Sequence, residues 1–511
     1  MAINQLKAGA FLSYVVLGIN NIVGLLYTPY MLRMMGQSEY GLYSLVASVI
    51  AYLTILDLGF GNAIIRYTAK FRAEGKTEEQ YSMFGMFIRL YSIIGILAFL
   101  AGLGLYFNVD NLFGATMSVD ELDKARTMML LMTFNLAITF PFSIFGSIIT
   151  AYENFVFQKV VNIVRIILNT VVMIVLLELG YRAVGMVILV TILNITTLLI
   201  NFWYCKYKIK IKIYFRKFDL RFLKEVSAYS FYIFLAVIID RVYWSTGQFV
   251  LGAFVGTAAV SVFAVAIQLE MMYMSFSTAI SGVFLPKVTA MATNEKSPKA
   301  ISDLFIRTGR IQYIVLSFIL TGFILFGKQF INLWAGPGYE DAYTIALLFF
   351  IPLTIPLIQN LGITILQARN QMKFRSLLYF VIAFLSLLLQ IPLAKLFGGI
   401  GCAIGISGAL VAGQIIAMNI YYYKKQGINI PLFWKEIGKM SLTPLLLGVV
   451  FFYLTTHITL DTVSKLGFCI LVFTLIYIPS FWLTSMNKNE KDLISSPLKK
   501  INIYFRKKVI Q

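Results

Sequence analysis

An aspartate and an arginine stand side by side in the middle of a long apolar stretch. Asp240 and Arg241 interrupt residues 229–254, which are otherwise long and apolar enough to cross a bilayer. A charge at the centre of a membrane helix costs about 2.5–3.5 kcal/mol on insertion scales, so it usually faces a partner or a water-filled cavity. Gln248 follows on the same helical face as Arg241. The stretch therefore predicts a membrane helix with one polar face.

Other arginines also fall inside apolar segments. A guanidinium stays charged in any environment and binds phosphate or carboxylate groups with two parallel hydrogen bonds. Arg165 and Arg241 lie deepest, and we interpret both as facing a cavity. For Arg66 and Arg89, nearer the ends of their segments, snorkelling to the lipid headgroups is the alternative. The candidates for binding an anionic group are thus Arg66, Arg89, Arg165 and Arg241.

Three acidic residues in apolar segments are candidates for coupling to an ion. Asp57 is followed by two glycines that allow close helix approach, and Glu270 has no basic partner at helical spacing. Such carboxylates take up a proton or Na⁺ in transporters, or form structural ion pairs. For Asp240, the partner in a structural ion pair would be its neighbour Arg241 or Arg165. Both interpretations stay open at this point.

Uncharged amides occupy further positions inside apolar segments. They are Asn20, Asn21, Gln359 and Asn360. Amide side chains in a membrane hydrogen-bond a polar ligand such as a sugar, or they hold neighbouring helices together. We include all four as candidate cavity residues.

Composition sets the class of protein. Of 511 residues, 59% are hydrophobic and only 13% are charged, whereas soluble domains have about 25% charged residues. The three cysteines are widely separated and there is one histidine, so neither a disulfide framework nor a zinc site is expected. No phosphate-binding G-x-x-x-x-G-K-[ST] loop occurs. We expect a polytopic membrane protein that needs no cofactor beyond a coupling Na⁺ or H⁺.

Segments of sufficient length and apolarity predict about fourteen membrane spans. Their approximate limits are 10–35, 40–68, 83–107, 126–150, 157–178, 183–204, 229–254, 258–287, 311–330, 343–368, 376–396, 400–423, 440–458 and 465–484.

Lysines and arginines concentrate in the connections on one side of these spans, and acidic residues in those on the other. Basic loops face the cytoplasm, so both termini are predicted to be cytoplasmic. This asymmetry accounts for most of the net charge of +20 without nucleic acid as a partner. The basic run at 205–228 is expected to touch anionic lipid, as a short strand or an interfacial segment.

The chain resembles itself when shifted by about 220 residues. Residues 34–48 align with 254–268, and 139–159 with 355–375. Each half has six spans, an even number, so the two lobes are related by an axis along the membrane normal. The predicted organisation is an N-lobe (1–204), a basic linker (205–228), a C-lobe (229–423), two extra helices (424–485) and a basic tail (486–511).

This plan resembles the MOP superfamily of transporters. Residues 29–43, 55–67 and 149–155 are similar to the polysaccharide flippases of the Wzx type, which serve O-antigen and capsule synthesis. The resemblance implies a monomeric flippase in the bacterial cytoplasmic (inner) membrane. Its substrate would be an undecaprenyl-diphosphate-linked oligosaccharide, carried to the outer leaflet by alternating access, and its partners the polymerase and chain-length machinery.

Two other classes of membrane protein fit the sequence less well. A cation-coupled multidrug antiporter of the MATE type would favour acidic residues alone in its cavity, because arginines repel cationic drugs. A membrane glycosyltransferase or polymerase would be expected to have a sizeable outer loop with catalytic carboxylates, and the predicted outer loops are short. We therefore expect a transporter and not an enzyme, with the MATE-type antiporter as the alternative.

Overall fold

The computed structural model describes residues 5–216, 219–293, 298–369, 371–493 and 495. Within these ranges the regular structure is entirely helical. Most of the predicted basic tail, residues 496–511, lies outside the described residues. The helices are α1 Gln5–Leu53, α2 Phe60–Ala73, α3 Thr77–Phe107, α4 Val109–Phe113, α5 Val119–Ala151, α6 Phe155–Glu178, α7 Ala183–Trp203, α8 Leu220–Trp244, α9 Thr246–Phe254, α10 Thr257–Thr293, α11 Pro298–Trp334, α12 Asp341–Ile358, α13 Leu361–Ala368, α14 Met372–Ala409, α15 Met418–Gln426, α16 Ile430–Thr456 and α17 Val463–Thr484.

Twelve helical stretches in the described residues are long and apolar enough to cross a membrane. Two of them, Lys7–Ala73 with 67 residues and Met372–Gln426 with 55, exceed the roughly 20 residues of one crossing more than twofold. Each contains a glycine with positive φ, Gly36 at 78° and Gly398 at 57°, where the helix is interrupted. Glycine adopts this conformation without steric strain. The prediction of an all-α protein with about fourteen crossings is confirmed.

Three of the predicted spans contain a break in the helix. The second span changes to a 3₁₀ turn at Thr54–Asp57 and then passes through Leu58 and Gly59, both left-handed. The seventh span breaks at Ser245 between α8 and α9, and the tenth breaks between α12 and α13. Apolar length does not reveal such breaks. Backbone outside a helix is tolerated at membrane depth where protein buries it or where it lines a cavity.

The contacts divide the described residues into two compact units. Unit 1 comprises residues within 1–269 and 373–409, and unit 2 those within 270–372 and 410–511. A buried aromatic cluster that includes Phe60, Phe84, Phe87 and Tyr91 forms the core of one part of unit 1. In unit 2, the aromatic residues of α17 pack on α11 and α16. These boundaries differ from those of the predicted lobes, whose division stays a prediction.

The basic linker begins with a π-helical turn at Tyr204–Ile209 and continues through 210–216 without regular secondary structure. It lies along the start of α3. The Tyr214 amide donates to the Tyr81 carbonyl at 3.1 Å. A Cβ at Gly85 would stand 2.2 Å from the Tyr214 carbonyl oxygen, so this approach depends on glycine. Residues 210–216 form neither the predicted strand nor a helix.

Candidate functional site

Arg241 lies where two interrupted spans meet in unit 1. It is near the end of α8, and its Nε donates to Thr54 Oγ1 of the 3₁₀ turn at 3.2 Å. Its Nη1 is 3.8 Å from Asp240 Oδ2, too long for a hydrogen bond, and one third of the Arg241 side chain is exposed. A hydrogen bond between the hydroxyls of Tyr52 and Thr246 connects the same two interrupted spans. Within the described residues the Arg241 guanidinium thus has one hydrogen bond, and it retains further N–H donors for a ligand.

Asp57 ends the same 3₁₀ turn and is held by an aromatic side chain. The Tyr91 hydroxyl donates to Asp57 Oδ1 at 2.7 Å. Tyr91 is fully buried and stacks on Phe140. Among the described basic residues, none forms an ion pair with Asp57. The structure therefore leaves its role in ion coupling a prediction.

A polar cavity of about 310 Å³ lies between α1, α6 and α7. It brings together Asn20 from α1 and Arg165 from α6, two residues that the sequence had singled out separately. It also includes Asn162, Asn169 and Thr170, which sequence reasoning missed. Asn162 and Asn169 are three and four residues from Arg165, which places them on its helical face, and that signal could have identified them.

The other candidates in unit 1 do not join this cavity. Asn21 on α1 and Gln248 on α9 are half-buried, and Asp240 is exposed. Arg66 is exposed in the middle of α2, with Cζ 5.9 Å from the Tyr67 ring. The roles of Asn21 and Arg66 therefore stay predictions.

Arg89 holds the linker. Its Nη1 donates to the Arg216 carbonyl at 2.8 Å, and its guanidinium lies over the Phe215 ring at 5.1 Å. Arg216 in turn pairs with Glu78 at 2.6 Å, and the Glu78 carboxylate raises the pKa of the Arg216 guanidinium. Arg89 thus has a structural contact that neither snorkelling nor substrate binding had suggested.

In unit 2, the predicted amides connect helices. Gln359 and Asn419 exchange side-chain hydrogen bonds of 2.9 and 3.3 Å, and Asn360 donates to Ser277 Oγ at 3.3 Å. Gln359 is buried, so these contacts favour the structural alternative for both amides. Glu270, on α10, is also buried.

A charged cluster that the sequence did not single out fastens the C-terminal helices of unit 2. Arg310 on α11 binds Glu490 with two hydrogen bonds of 2.6 and 3.0 Å, and Glu436 on α16 at 2.9 Å. It also donates to the Ser485 carbonyl at 3.2 Å. Arg310 and Glu490 are buried. A pair 180 residues apart leaves no sequence pattern, and Arg310 resembled a loop residue.

A carboxylate closes one end of unit 1, where α1 bends at Gly36. Glu121 Oε1 on α5 accepts from Ser38 Oγ at 2.6 Å and from Thr257 Oγ1 at 2.8 Å. Close by, Gly41 of α1 lies directly against the Thr257 carbonyl. The contact joins α1, α5 and the beginning of α10.

The sequence profile of a family described as polysaccharide biosynthesis proteins matches residues 6–292. The chain belongs to this family. A search of curated proteins finds no match.

Solved structures share the fold of this family member over most of its length. They include a lipid II flippase, MurJ, in an inward closed conformation (18% identity, 96% of this chain and 99% of that chain, TM-score 0.69). Another is an inward-facing multidrug resistance MATE transporter of the MOP superfamily (16%, 81% and 99%, 0.58). A third is a MOP superfamily transporter from Pyrococcus furiosus (14%, 84% and 96%, 0.57), for which a binding pocket of reverse polarity suggests a different function.

At these identities the likeness establishes the MOP fold. The matched proteins are described as a flippase and transporters rather than enzymes, in agreement with the expectation that this chain is not an enzyme.

Proposed function

We propose that the chain is a flippase that moves an undecaprenyl-diphosphate-linked oligosaccharide from the cytoplasmic to the outer leaflet by alternating access. Membership in the polysaccharide biosynthesis family and a fold shared with a lipid II flippase support this proposal. The oligosaccharide would be a repeat unit of O-antigen, capsule or exopolysaccharide. The proposed setting is the bacterial cytoplasmic membrane, with both termini in the cytoplasm and a polymerase receiving the product.

The observation that carries the proposal is the environment of Arg241. This guanidinium lies within a membrane span, is one third exposed and, among the described residues, makes one hydrogen bond, to Thr54. Asp240 at 3.8 Å compensates its charge incompletely, because the Asp240 side chain is itself 57% exposed. A cation in this position gains most from an anion that offers several acceptors at once. The diphosphate of a lipid carrier has that chemistry.

Coupling to H⁺ or Na⁺ is part of the proposal. Asp57, Asp240 and Glu270, within the candidate membrane stretches, are the proposed carboxylates for it. Asp57 is the strongest of them in geometry, because its turn also positions the Thr54 hydroxyl that binds Arg241. A cation bound to Asp57 would lie one helical turn from Thr54. Through that turn it would affect the position of the Arg241 guanidinium.

The test is transport by the purified chain in proteoliposomes. The probe is an undecaprenyl-diphosphate oligosaccharide with a fluorescent sugar, whose outward fraction is quenched by a membrane-impermeant reagent. We expect Arg241→Ala to slow translocation about tenfold or more, since hydrogen bonds to charged groups contribute about 1.5–3 kcal/mol. Arg182→Ala removes the same charge from an exposed position and should leave the rate unchanged. Normal translocation by Arg241→Ala would refute the assignment.

The fold shared with MATE transporters makes a cation-coupled drug antiporter the second candidate. The two functions separate in the same vesicles. A chain that moves no lipid-linked oligosaccharide but exports a cationic dye along an ion gradient would be an antiporter.

A further inference from the structure

The cavity between α1, α6 and α7 has the chemistry of a sugar site with one anionic position. We propose that it binds an acidic sugar, a monosaccharide with a carboxylate, within the transported glycan. This inference rests on the proposed function and names a class of substrate for it. Four properties of the cavity support it: its unused hydrogen-bonding groups, the uncompensated charge of Arg165, its balance of hydrogen-bond donors and acceptors, and its volume.

Four polar side chains of the cavity are not used by the described part of the protein. Asn162, Arg165 and Asn169 form a stripe along α6, and Asn20 faces the cavity from α1. None of these four side chains has a hydrogen bond or ion pair within the described part of the chain. Polar groups in a membrane protein are usually satisfied by neighbouring helices. Asn20 and Asn162 are exposed, and Arg165 and Asn169 are half-buried, so all four side chains are free to bind a polar ligand.

The charge of the cavity points to an anion. Arg165 is half-buried near the middle of α6, which has 24 residues, and none of the described residues that line the cavity is acidic. An unpaired charge within a bilayer is costly, and the low surrounding polarity strengthens its attraction to a counter-charge. The ligand therefore supplies a negative group at the Arg165 guanidinium.

The balance of donors and acceptors favours a sugar over the carrier diphosphate. Each asparagine amide offers two donors and a carbonyl acceptor, and sugar hydroxyls complement both. A fully ionised diphosphate has acceptors only and would leave the three amide oxygens unmatched. The hydroxyl of Tyr27, which also lines the cavity, is buried without a hydrogen-bond partner among the described residues.

The size of the cavity fits one or two sugar rings. Its volume is about 310 Å³. Ligand pockets begin at about 300 Å³, so the space holds a monosaccharide better than a longer chain.

Binding by the purified full-length protein in detergent tests the inference without transport. The probes are a glucuronosyl disaccharide, the matching neutral glucosyl disaccharide and geranylgeranyl diphosphate, measured by calorimetry. Wild type should bind the acidic disaccharide about tenfold or more tightly than the neutral one, the factor expected for a charge-assisted pair. Arg165→Ala should remove that preference and Arg165→Lys should retain part of it, while Arg182→Ala should behave as wild type.

Three results would overturn the inference. Equal affinity of wild type for the two disaccharides would exclude an anionic sugar position. Preference retained in Arg165→Ala would place that position elsewhere. Displacement of the acidic disaccharide by geranylgeranyl diphosphate, with Arg165→Ala weakening only the diphosphate, would make this a carrier site. If the binding results hold but no lipid-linked oligosaccharide moves in vesicles, the proposed function fails and the sugar site stands.

Discussion

Replacing Gly41 by alanine should force α1 and α10 apart at the closed end of unit 1. A Cβ at this position would lie 1.9 Å from the Thr257 carbonyl oxygen and 2.7 Å from its carbon. Real Cβ atoms essentially never show non-bonded contacts shorter than 3.0 Å, so the helices must separate by about 1 Å or more. The obstacle is backbone and cannot rotate away. Overpacking costs about 1–3 kcal/mol, which shifts an equilibrium between closed and open arrangements about 5- to 150-fold.

Labelling of a single cysteine measures this shift. Ser44 on α1 is buried near the contact, and Ser44→Cys changes its size little. The three native cysteines, Cys205, Cys402 and Cys469, are first replaced by alanine. A membrane-impermeant maleimide should then react about 5- to 150-fold faster at position 44 when Gly41→Ala is present. Gly104→Ala, at a glycine with nothing within 4 Å, is the matched control and should not change the rate.

A graded variant separates opening from general damage. At Gly252 the new Cβ would meet the Leu45 side chain at 2.5 Å, and a side chain can move. Gly252→Ala should therefore accelerate labelling less than Gly41→Ala. Equal rates for Gly41→Ala and Gly104→Ala, with both proteins monodisperse, would show that the contact does not hold this end closed.

Two further substitutions test structural roles. Arg310→Ala leaves the buried carboxylate of Glu490 without its cation and should destabilise the protein by about 3–5 kcal/mol, seen as a lower melting temperature in detergent; a double variant Arg310→Met, Glu490→Met that melts no higher than Arg310→Ala would contradict this reasoning. Arg89→Ala removes the donor to the Arg216 carbonyl and should expose the linker, so that trypsin cuts it faster than in the Arg66→Ala control; equal cleavage would show that Arg89 does not hold the linker.

The membrane crossings could be predicted because apolar length reports directly on bilayer thickness. Asn20 and Arg165 could be recognised as cavity residues because polar groups are rare in such segments, and the structure places both in one cavity. The sequence could not show that they meet, since the contact between α1 and α6 joins residues 145 positions apart. Helical periodicity would have added Asn162 and Asn169, had it been applied to α6.

Other features left no readable pattern. Leu58 adopts a left-handed conformation that leucine rarely takes, so the break in the second span is set by its surroundings. Arg89 binds a backbone carbonyl, and every residue has one, so its partner was not identifiable. Gln359 and Asn360 bind other side chains of unit 2, where sequence alone allowed a ligand.

The Arg310 cluster also determines where the chain can be shortened. Residues 485–490 follow the last long helix and resemble a dispensable tail, yet the Ser485 carbonyl and the Glu490 carboxylate both bind Arg310. A protein that ends at Thr484 would keep all its apolar helices and lose the carboxylate that neutralises a buried guanidinium. Expression tags and fusion partners therefore belong beyond residue 495, where they leave the Arg310 cluster intact.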